Sequence, residues 1–537
     1  MLAVRQRSEI RPGAALRRNA PLRTAKVHMR TDQLKMKNVP FWIDSAPIQK
    51  FPKLQRNINV DVVVVGAGVT GITTAHLLKT AGLRVALIER ERVASIDTGH
   101  TTAHLTYVTD VELQKLARNF GKDHAQAAWD AGAAAVDEIE RIVREQEIEC
   151  EFRRVPGYLH VRIGGASKKE ASSLKKEADL ASKLGFDAAY VNSIPYFSVP
   201  GVRFANQAKF HPRKYLRALV EKIPGDGSHV FEKSAATEFD AKKHRVKVNR
   251  NWIGFDRVVL ATNNPLIGLA SVVGATLLQT KLSLYTSYVL GAQVPSNTVP
   301  EALFWDTREP YDYLRLDLHR GFDYVVCGGE DNKTGQKRET GKAYARLLVR
   351  LKKIIPKARV DHRWSGQVIS TPDGLPYIGE NAEHQFVATG YCGNGITFGT
   401  VAAMMARDWT TGRRNPWMDL FAVDRKKIKG ATWNYLRENK DYPYYMIKDR
   451  LARPETDSVR ELKPGNGMLV GSRGKKIAAF RDRNGKIHRL SPVCTHLGCL
   501  VRWNPAESTW DCPCHGSRFK PTGEVIAGPA EEALAPI

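Results

Sequence analysis

Two short loops near the end of the chain concentrate its cysteines. Four of the seven cysteines and two histidines fall within residues 494–515. They are Cys494, His496, Cys499, Cys512, Cys514 and His515. Thiolates and imidazoles at this spacing could bind zinc, form a disulfide scaffold or hold an iron–sulfur cluster. Zinc sites more often use paired C-x-x-C units, and disulfide scaffolds are typical of small secreted domains, so the pattern favours an iron–sulfur site.

A second motif lies near the start of the chain, in a predicted strand–turn–helix. An apolar run, Asp61–Val65, precedes a G-x-G-x-x-G motif, a helical stretch through Lys79 and a second apolar run, Arg84–Ile88, that is followed by Glu89. The motif glycines are Gly66, Gly68 and Gly71. They permit a tight turn, close approach of the backbone to a pyrophosphate, and close packing of helix on strand. The helix N-terminus then faces the phosphates, and Glu89 lies where an acid binds ribose hydroxyls.

The residues alone predict one dinucleotide, either FAD or NAD, because no second motif of this kind follows a strand. Four later segments occur in the order ASIDTGHTTAHLTYVTD, FDRVVLATNNP, HRWSGQVISTPDGLPYIG and ATGYCGNGITFGTVAAMMARDW. Together with the glycine motif they resemble the FAD-dependent D-amino acid oxidase superfamily, which includes glycine and sarcosine oxidases and dimethylglycine dehydrogenase. The resemblance covers residues 58–420 and implies that the dinucleotide is FAD.

The resemblance also implies which residues hold FAD. For the ADP half they are Gly66, Gly68, Gly71, Glu89 and Arg90. Beside the isoalloxazine ring they are Thr98, His100, Thr101 and Thr102, and toward the adenine they are Ala261 and Thr262. A glycine-rich turn would place a helix N-terminus near the flavin O2 carbonyl, where negative charge develops on reduction. Its residues are Gly390, Gly393, Asn394, Gly395, Ile396 and Thr397.

Two positions differ from relatives that attach FAD covalently. Some sarcosine oxidases use a cysteine at a position that corresponds here to about Gly366, so that linkage is not expected. His100 lies near the flavin-linked histidine of dimethylglycine dehydrogenases, and we expect it to be a noncovalent neighbour of the flavin.

Residues 151–205 and 275–330 alternate apolar and polar side chains, which predicts antiparallel strands. In the family such a sheet covers the substrate. Tyr311, Tyr313 and Arg315 are candidates for substrate contact, since tyrosine offers a polar tip on an apolar wall and arginine pairs with carboxylates. His104 could be a catalytic base or a packed histidine, and packing is favoured.

The two cysteine–histidine loops resemble the C-T-H-L-G-C and C-P-C-H-G-S boxes of Rieske [2Fe-2S] domains in cytochrome bc complexes. The resemblance implies that Cys494 and Cys512 bind one iron, that His496 and His515 bind the other, and that Cys499 and Cys514 form a disulfide. It also implies that Ser517 hydrogen-bonds the cluster. Two neutral imidazoles in place of two thiolates raise the potential of such a cluster, which makes it a better electron acceptor.

The predicted fold class is an α/β (α+β) FAD-binding Rossmann-type domain with an antiparallel substrate sheet, followed by a small all-β Rieske domain. We expect a basic, disordered extension at 1–57, an oxidoreductase at 58–410, a linker at 411–455 and the Rieske domain at 456–537. Within the oxidoreductase, FAD binding is assigned to 58–150, 201–270 and 360–410, and the substrate sheet to 151–200 and 271–359. No apolar run is long enough to span a membrane or serve as a secretory signal, which predicts a cytoplasmic protein.

The chain carries a formal net charge of +26, and residues 1–57 contribute +10 of it. The basic stretch at its start, MLAVRQRSEIRPGAALRRNAPLRTAKVHMR, has no interleaved aromatic side chains, so no nucleic-acid partner is expected.

Together the two domains predict a dehydrogenase that oxidises the C–N bond of an amine or amino acid. FADH2 would pass electrons to the fused cluster and then to an external acceptor, such as a quinone, a ferredoxin-like protein or another redox protein. Two alternatives are an NAD(P)H-dependent flavoprotein reductase and a redox-sensing protein without enzymatic activity.

Overall fold

The computed structural model describes residues 36–537 except 166, 265–277, 320, 338, 426–438, 440 and 473. The described helices are α1 (Phe41–Ser45), α2 (Val69–Thr80), α3 (Leu113–Phe120), α4 (Lys122–Glu145), α5 (Lys168–Lys183), α6 (Pro212–Glu221), α7 (Gly341–Ile354), α8 (Gly395–Thr410), α9 (Met418–Phe421) and α10 (Asp441–Leu451). None of these helices is both long enough and apolar enough to cross a lipid bilayer.

The strands of the described residues form five sheets. In chain order they are β1 (Ile58–Asn59), β2 (Val62–Val65), β3 (Val85–Ile88), β4 (His104–Leu105), β5 (Arg153–His160), β6 (Ala188–Val191), β7 (Gly201–Lys209), β8 (His229–Phe231), β9 (Ala236–Asp240), β10 (Arg245–Val248), β11 (Asn251–Gly254), β12 (Arg257–Asn263), β13 (Ser283–Val294), β14 (Leu303–Asp306), β15 (Tyr313–Leu318), β16 (Asp323–Lys333), β17 (Arg359–Ser370), β18 (Tyr377–Ala382), β19 (Gln385–Thr389), β20 (Asn466–Ser472), β21 (Lys475–Arg481), β22 (Ile487–Leu490), β23 (Arg502–Asn504), β24 (Thr509–Asp511), β25 (Arg518–Phe519) and β26 (Val525–Ala527).

A six-stranded sheet in the order β18-β19-β12-β2-β3-β8 carries the glycine motif. All its pairs are parallel except β18 with β19. Every residue of β2 and β3 is buried, as expected for parallel strands that are covered on both faces. Helix α2 starts inside the motif, at Val69, and packs on α8, where a Cβ at Gly399 would lie 2.8 Å from Thr70 Oγ1. The close approach of these two helices therefore depends on glycine.

A nine-stranded sheet lies beside the first, in the order β17-β13-β16-β15-β14-β5-β7-β4, with β6 paired to β7. It is antiparallel except for the pair β14 and β5. Strands β7 and β17 belong to this sheet, although the sequence assigned 201–270 and 360–410 to FAD binding. Parts of the two segments assigned to FAD binding therefore also belong to the antiparallel sheet, because long-range pairing fixes its strands: β17 pairs with β13 from Arg359 to Ser370.

The basic extension predicted as disordered also needs correction for residues 36–57. Trp42 on α1 is 1% exposed and donates a hydrogen bond from Nε1 to Thr101 O at 2.8 Å. Leu54 is also buried, and Arg213 Nε donates to Ala46 O at 3.0 Å. This segment therefore packs against the predicted flavin-side segment, while residues 1–35 lie outside the described part of the chain.

The remaining sheets are small. A four-stranded sheet, β1-β11-β10-β9, flanks the dinucleotide region. At the carboxyl end, β20-β21-β22 and β23-β24-β25-β26 are antiparallel. One cysteine-rich loop follows β22, and the other joins β24 to β25. Short strands therefore hold both loops at their ends, as the sequence predicted for an all-β domain.

Candidate active site and metal centre

The glycine motif forms a tight turn between β2 and α2. Gly66 has φ of +100°, and a Cβ there would lie 2.6 Å from Ala261 O. A Cβ at Gly71 would lie 1.8 Å from Gly66 O, so α2 could not pack this closely on the turn with any other residue. At Gly68 a Cβ would meet Thr98 Oγ1 at 2.9 Å. The turn thus requires glycine at all three positions, for the reasons that the motif suggests.

Glu89 follows β3 and supports this turn. Its Oε2 accepts from Ala67 N at 2.9 Å and its Oε1 accepts from Glu91 N at 2.8 Å. Burial raises the pKa of this carboxyl group, although the two backbone hydrogen bonds oppose that effect. Arg90 donates from Nη2 to Ile526 O in the carboxyl-terminal domain at 3.0 Å. Arg90 therefore contacts the second domain, a link that its position in the motif did not reveal.

Threonine side chains tie the segment beside the predicted flavin ring to α2 and to its own backbone. Thr98 Oγ1 accepts from Val69 N at 3.0 Å, and Thr101 Oγ1 accepts from Ala103 N at 3.0 Å. His100 donates from Nδ1 to Ile96 O at 2.7 Å, and burial lowers its pKa.

Gly366 lies against this segment, where a Cβ would come within 3.1 Å of His100 O. Strand β17 therefore passes directly beside the predicted flavin neighbour.

The glycine-rich turn before α8 points a helix N-terminus into a cavity. Gly390 and Gly393 have φ of +75° and +85°. Asn394 Nδ2 donates to Val108 O at 2.9 Å, and Thr397 Oγ1 donates to Thr106 O at 2.9 Å. Apart from its chain neighbours and its own helix, a Cβ at Gly395, the first residue of α8, would meet no atom of the described residues within 4 Å. Because Gly395 lines the cavity, that open space is available to a ligand.

These elements surround one continuous cavity of about 1100 Å³. Most of the predicted FAD residues line it; the exceptions are Gly71, Gly390 and Thr397. Small-molecule sites commonly enclose about 300–1,000 Å³, so this cavity has room for an extended ligand. It runs from the glycine turn to the N-terminus of α8 and on to Tyr311. The turn, the acid and the open helix end together fit FAD.

The far end of the cavity is acidic. Tyr311 donates from its hydroxyl to Asp110 Oδ2 at 3.1 Å, and the Tyr313 hydroxyl pairs with Ser287 Oγ at 2.8 Å. The Asp110 side chain is exposed to the cavity, yet its depth in the protein raises its pKa to about 7. Asp331 on β16 also lines the cavity, and burial raises its pKa to about 6. The sequence reasoning missed Asp110, although it is the last residue of the segment ASIDTGHTTAHLTYVTD.

Arg315 is not a substrate contact, contrary to the prediction. Its side chain is fully buried and does not line the cavity. The guanidinium donates to Ala103 O and to Phe210 O, and it pairs with Asp317. Arg315 therefore fixes the backbone beside the flavin segment, away from the cavity.

His104 lines the cavity next to Tyr313, with ring centroids 5.5 Å apart in an edge-to-face arrangement. Burial lowers its pKa to about 3, so the ring is neutral at physiological pH. Its Nδ1 pairs with Thr102 Oγ1 at 3.2 Å. This environment favours a packed histidine over a base, which stays a prediction.

The two cysteine-rich loops meet in the carboxyl-terminal domain. Cys499 and Cys514 form a disulfide that joins the loops. Cys494 and Cys512 are buried free thiols, and the rings of His496 and His515 lie edge to face with centroids 4.9 Å apart.

His496 Nδ1 is buried and has no hydrogen-bond partner among the described residues, whereas its Nε2 pairs with Gln279 Oε1 at 3.1 Å. An orphaned, buried ring nitrogen on the loop that carries Cys494 fits an iron ligand. Ser517 accepts at Oγ from Ala530 N at 3.1 Å and also hydrogen-bonds Cys494. Cys494 and Cys512 hydrogen-bond each other and the two histidine rings lie against each other, a set of two thiols and two imidazoles whose chemistry fits a [2Fe-2S] cluster.

The two cofactor regions are in direct contact. Gln367, next to Gly366 on β17, donates from Nε2 to Gly516 O in the second cysteine loop at 2.7 Å. A Cβ at Gly335 would lie 2.7 Å from the Cys512 carbonyl carbon. Residues 526–531 of the carboxyl-terminal domain line the large cavity itself. Neither Gln367 nor this last segment carried a recognisable signal in the sequence, because their roles arise from the packing of one domain on the other.

Comparisons with known proteins agree with this architecture. The family model for FAD dependent oxidoreductases matches residues 61–409, and the model for the Rieske [2Fe-2S] domain matches residues 454–537. A putative Rieske 2Fe-2S iron-sulfur protein, YhfW of Bacillus subtilis (strain 168), is 34% identical over 506 residues, which cover 93% of this chain and 97% of that protein.

Two further proteins are similar to the first part of the chain. Gamma-glutamylputrescine oxidoreductase of Escherichia coli (strain K12) is 23% identical over 386 residues, which cover 67% of this chain and 86% of that protein. The crystal structure of glycine oxidase from Geobacillus kaustophilus shares the fold, with a TM-score of 0.57 and 18% identity over 69% of this chain and 99% of that one. The chain therefore belongs to the FAD dependent oxidoreductase family, binds FAD, and carries a carboxyl-terminal Rieske domain with a [2Fe-2S] cluster.

Proposed function

We propose that this protein is a dehydrogenase that oxidises the C–N bond of an amine or amino acid and passes the electrons through its Rieske domain to an external acceptor. When bound, FAD supplies hydride acceptance and the [2Fe-2S] cluster supplies one-electron transfer. The observation that carries the proposal is the shared boundary of the two sites. The Rieske domain lines the same cavity as the FAD-binding residues, through residues 526–531.

The relatives support the reaction class. The E. coli relative is named for oxidation of gamma-glutamylputrescine, a nitrogen compound, and the Geobacillus neighbour is a glycine oxidase. The two similarities cover 67% and 69% of this chain. The cavity continues past the flavin-side residues Thr101 and Thr102 to Tyr311, which leaves space for a substrate on that side.

The contact at Gln367 supports an internal electron route. Gly366 packs on His100 O beside the predicted flavin ring, and the next residue, Gln367, bonds Gly516, the neighbour of the ligand His515. On the other side, Gln279 bonds His496. The oxidoreductase domain therefore contacts both histidine-bearing loops, and a soluble carrier is not needed between the two sites.

The domain limits and the individual site residues belong to the same proposal. We propose an oxidoreductase body at 58–410, a linker at 411–455 that contains α9 and α10, and a Rieske domain at 456–537. Cys494, His496, Cys512 and His515 are the proposed cluster ligands.

Anaerobic mixing tests the proposal. The full-length holoprotein is mixed with primary, secondary and N-methyl amino acids and with polyamines, while flavin absorbance and electron paramagnetic resonance are followed in one sample. We expect one compound to bleach the flavin and a Rieske signal to rise afterwards. If NADH reduces both centres and no amine or amino acid does, the protein is a reductase and the proposal is wrong.

The variant His496→Ala tests the electron route. We expect it to lose the Rieske signal while the substrate still bleaches its flavin, and to lose transfer to a soluble quinone. His124→Ala, which removes an exposed histidine on α4, is the matched control and should behave like the wild type. Quinone reduction at the wild-type rate in His496→Ala would contradict the route.

A further inference from the structure

The acidic end of the cavity contains more negative charge than the described cations there neutralise. Asp110 is open to the cavity, and its bond from Tyr311 is the one hydrogen bond to its carboxylate that the described residues supply. Asp331 has a buried Oδ1 without a partner in the same part of the structure. Burying a carboxylate without a compensating charge is costly, and its pKa rises as a result. Carboxylates of this kind in a cavity are typical of ligand sites.

Cations that could bind a substrate carboxylate are scarce at this end. Among the described residues, the cavity is lined by Arg90, Arg92, Lys115 and Arg308. Arg90 and Arg92 follow Glu89 at the opposite, dinucleotide end. Lys115 is exposed on α3, and Lys337, whose charge lowers the pKa of Asp331 against the effect of burial, does not line the cavity.

Arg308 is already paired twice. Its Nε lies 3.0 Å from Asp306 Oδ2 and its Nη1 lies 3.1 Å from Asp312 Oδ2. Arg315, the arginine that the sequence suggested for this role, is held by backbone carbonyls and Asp317. A substrate carboxylate would therefore meet Asp110 and Asp331 without an unpaired guanidinium to offset them.

The walls of the same region suit a cation. The rings of Tyr311 and Tyr313 lie side by side, with centroids 5.7 Å apart, and both line the cavity. Aromatic faces attract ammonium groups, and the attraction grows when the site is shielded from water. His104 adds no competing charge, because its ring is neutral.

We propose that the substrate is a cationic amine that carries no carboxylate beside the reacting nitrogen, and that Asp110 and Asp331 bind it against the rings of Tyr311 and Tyr313. This inference rests on the proposed function and narrows it from amines and amino acids to amines. An alkyl diamine or monoamine has the required chemistry, since its ammonium group compensates the two carboxylates.

Matched probe pairs test the substrate class in the wild-type holoprotein. One pair is 1,4-diaminobutane against 4-aminobutanoate, which differ by an aminomethyl group in place of a carboxylate; the other is propylamine against β-alanine. Dissociation constants come from the perturbation of the flavin spectrum under anaerobic conditions, and bleaching is recorded separately. We expect each amine to bind at least about tenfold more tightly than its carboxylate partner.

Substitutions of Asp110 and Asp331 test whether these carboxylates bind the amine. Asp110→Asn should weaken binding of 1,4-diaminobutane by at least about tenfold and reduce its advantage over 4-aminobutanoate. Asp331→Asn should act in the same direction. Asp179→Asn, which neutralises an exposed carboxylate on α5, should leave both constants unchanged.

The outcomes separate the two proposals. Tighter binding and faster bleaching by 4-aminobutanoate, β-alanine, glycine or sarcosine would overturn the substrate class and leave the proposed function standing. An unchanged preference in Asp110→Asn would overturn the role of Asp110. If no nitrogen compound perturbs or bleaches the flavin, the proposed function itself fails. The wild-type ranking needs no variant, so the substrate class remains testable even if Asp110→Asn does not fold.

Discussion

The cluster site and the flavin cavity are built in opposite ways. The four proposed cluster ligands and the disulfide all lie within residues 494–515, on two loops held by short strands. The cavity takes its lining from residues as distant as Val65 and Glu531 and from both domains. A site of the first kind depends on a few side chains, whereas a site of the second kind depends on how whole elements pack.

This difference predicts how each site responds to a single change. In the cluster site the loss of one ligand should be complete and local. In the cavity the turn residues should affect FAD, and the acidic end should affect the substrate, in graded amounts. The experiments below test that separation.

Removal of one cluster ligand should have the largest effect. Cys512→Ser should abolish the Rieske electron paramagnetic resonance signal, because the iron loses a buried thiolate ligand. The FAD content, measured by absorbance after denaturation, should stay at the wild-type level. Cys150→Ala removes a buried cysteine outside both loops and is the control for loss of a thiol. If FAD is lost together with the cluster, the two sites are not separable in the way described.

Substitution in the glycine turn should have the opposite effect: it should weaken FAD binding and leave the cluster in place. Gly71→Ala would place a Cβ 1.8 Å from Gly66 O, so α2 or the turn must move. Overpacking of this kind costs about 1–3 kcal/mol, and we expect FAD affinity to fall about tenfold or more while the Rieske signal persists. Gly341→Ala is the control: it adds a methyl group at the start of α7, where no atom lies within 4 Å. It should leave FAD binding unchanged, whereas equal loss in both variants would show general destabilisation.

The two sites also differ in how far the sequence predicted them. The ligands of the cluster and the glycine turn depend on local spacing, and the two strands around Gly66 and the end of the helix were predicted to within one residue, whereas the helix begins at Val69, inside the motif. The role of Arg315 was wrong because its partners, Ala103 and Phe210, reach it only through the packing of the nine-stranded sheet.

Tertiary contacts also explain the other differences. Asp110 acquires its environment from Tyr311, which is 201 residues later in the chain. Residues 36–57 were assigned to a disordered tail from their charge, yet Trp42 is buried against the flavin-side segment. In each case the informative contact joins segments that are distant in sequence, and composition does not record such a contact.

The pH dependence of amine binding should distinguish the acidic end from the rest of the cavity. Burial raises the pKa of Asp110 to about 7, so this carboxyl group is neutral below that pH and charged above it. Binding of 1,4-diaminobutane should therefore strengthen as the pH rises through 7, by about tenfold per unit below the pKa. The groups that interact with Asp110 or that it influences are Tyr311, Tyr313, Asp331 and Cys392.

These neighbours do not reverse the sign. Burial raises the pKa of both tyrosines well above its ordinary value and that of Cys392 to about 12, so they stay neutral in this range. Asp331, with a pKa raised to about 6, ionises first and pushes that of Asp110 upward. In Asp110→Asn the dissociation constant of 1,4-diaminobutane should change little with pH above pH 6, as measured by flavin-monitored titration. If the wild type bound 1,4-diaminobutane more weakly at pH 8 than at pH 6, the assignment of Asp110 as the binding carboxylate would be contradicted.

Removal of the hydrogen bond between Gln367 and Gly516, which joins the two sites, should have the smallest effect. Gln367→Leu removes the donor to the buried Gly516 carbonyl, which costs about 1–3 kcal/mol when nothing replaces it. The substitution also removes Gln367 Oε1, which is buried without a partner among the described residues, so the net loss of stability should be about 1 kcal/mol. Cluster reduction after flavin bleaching should slow without stopping, while FAD content and the Rieske signal remain. Gln146→Leu, at the end of α4, is the control. An unchanged reduction rate would mean that the electrons do not depend on this contact, and the histidine contact at Gln279 would then be the better candidate for the link between the sites.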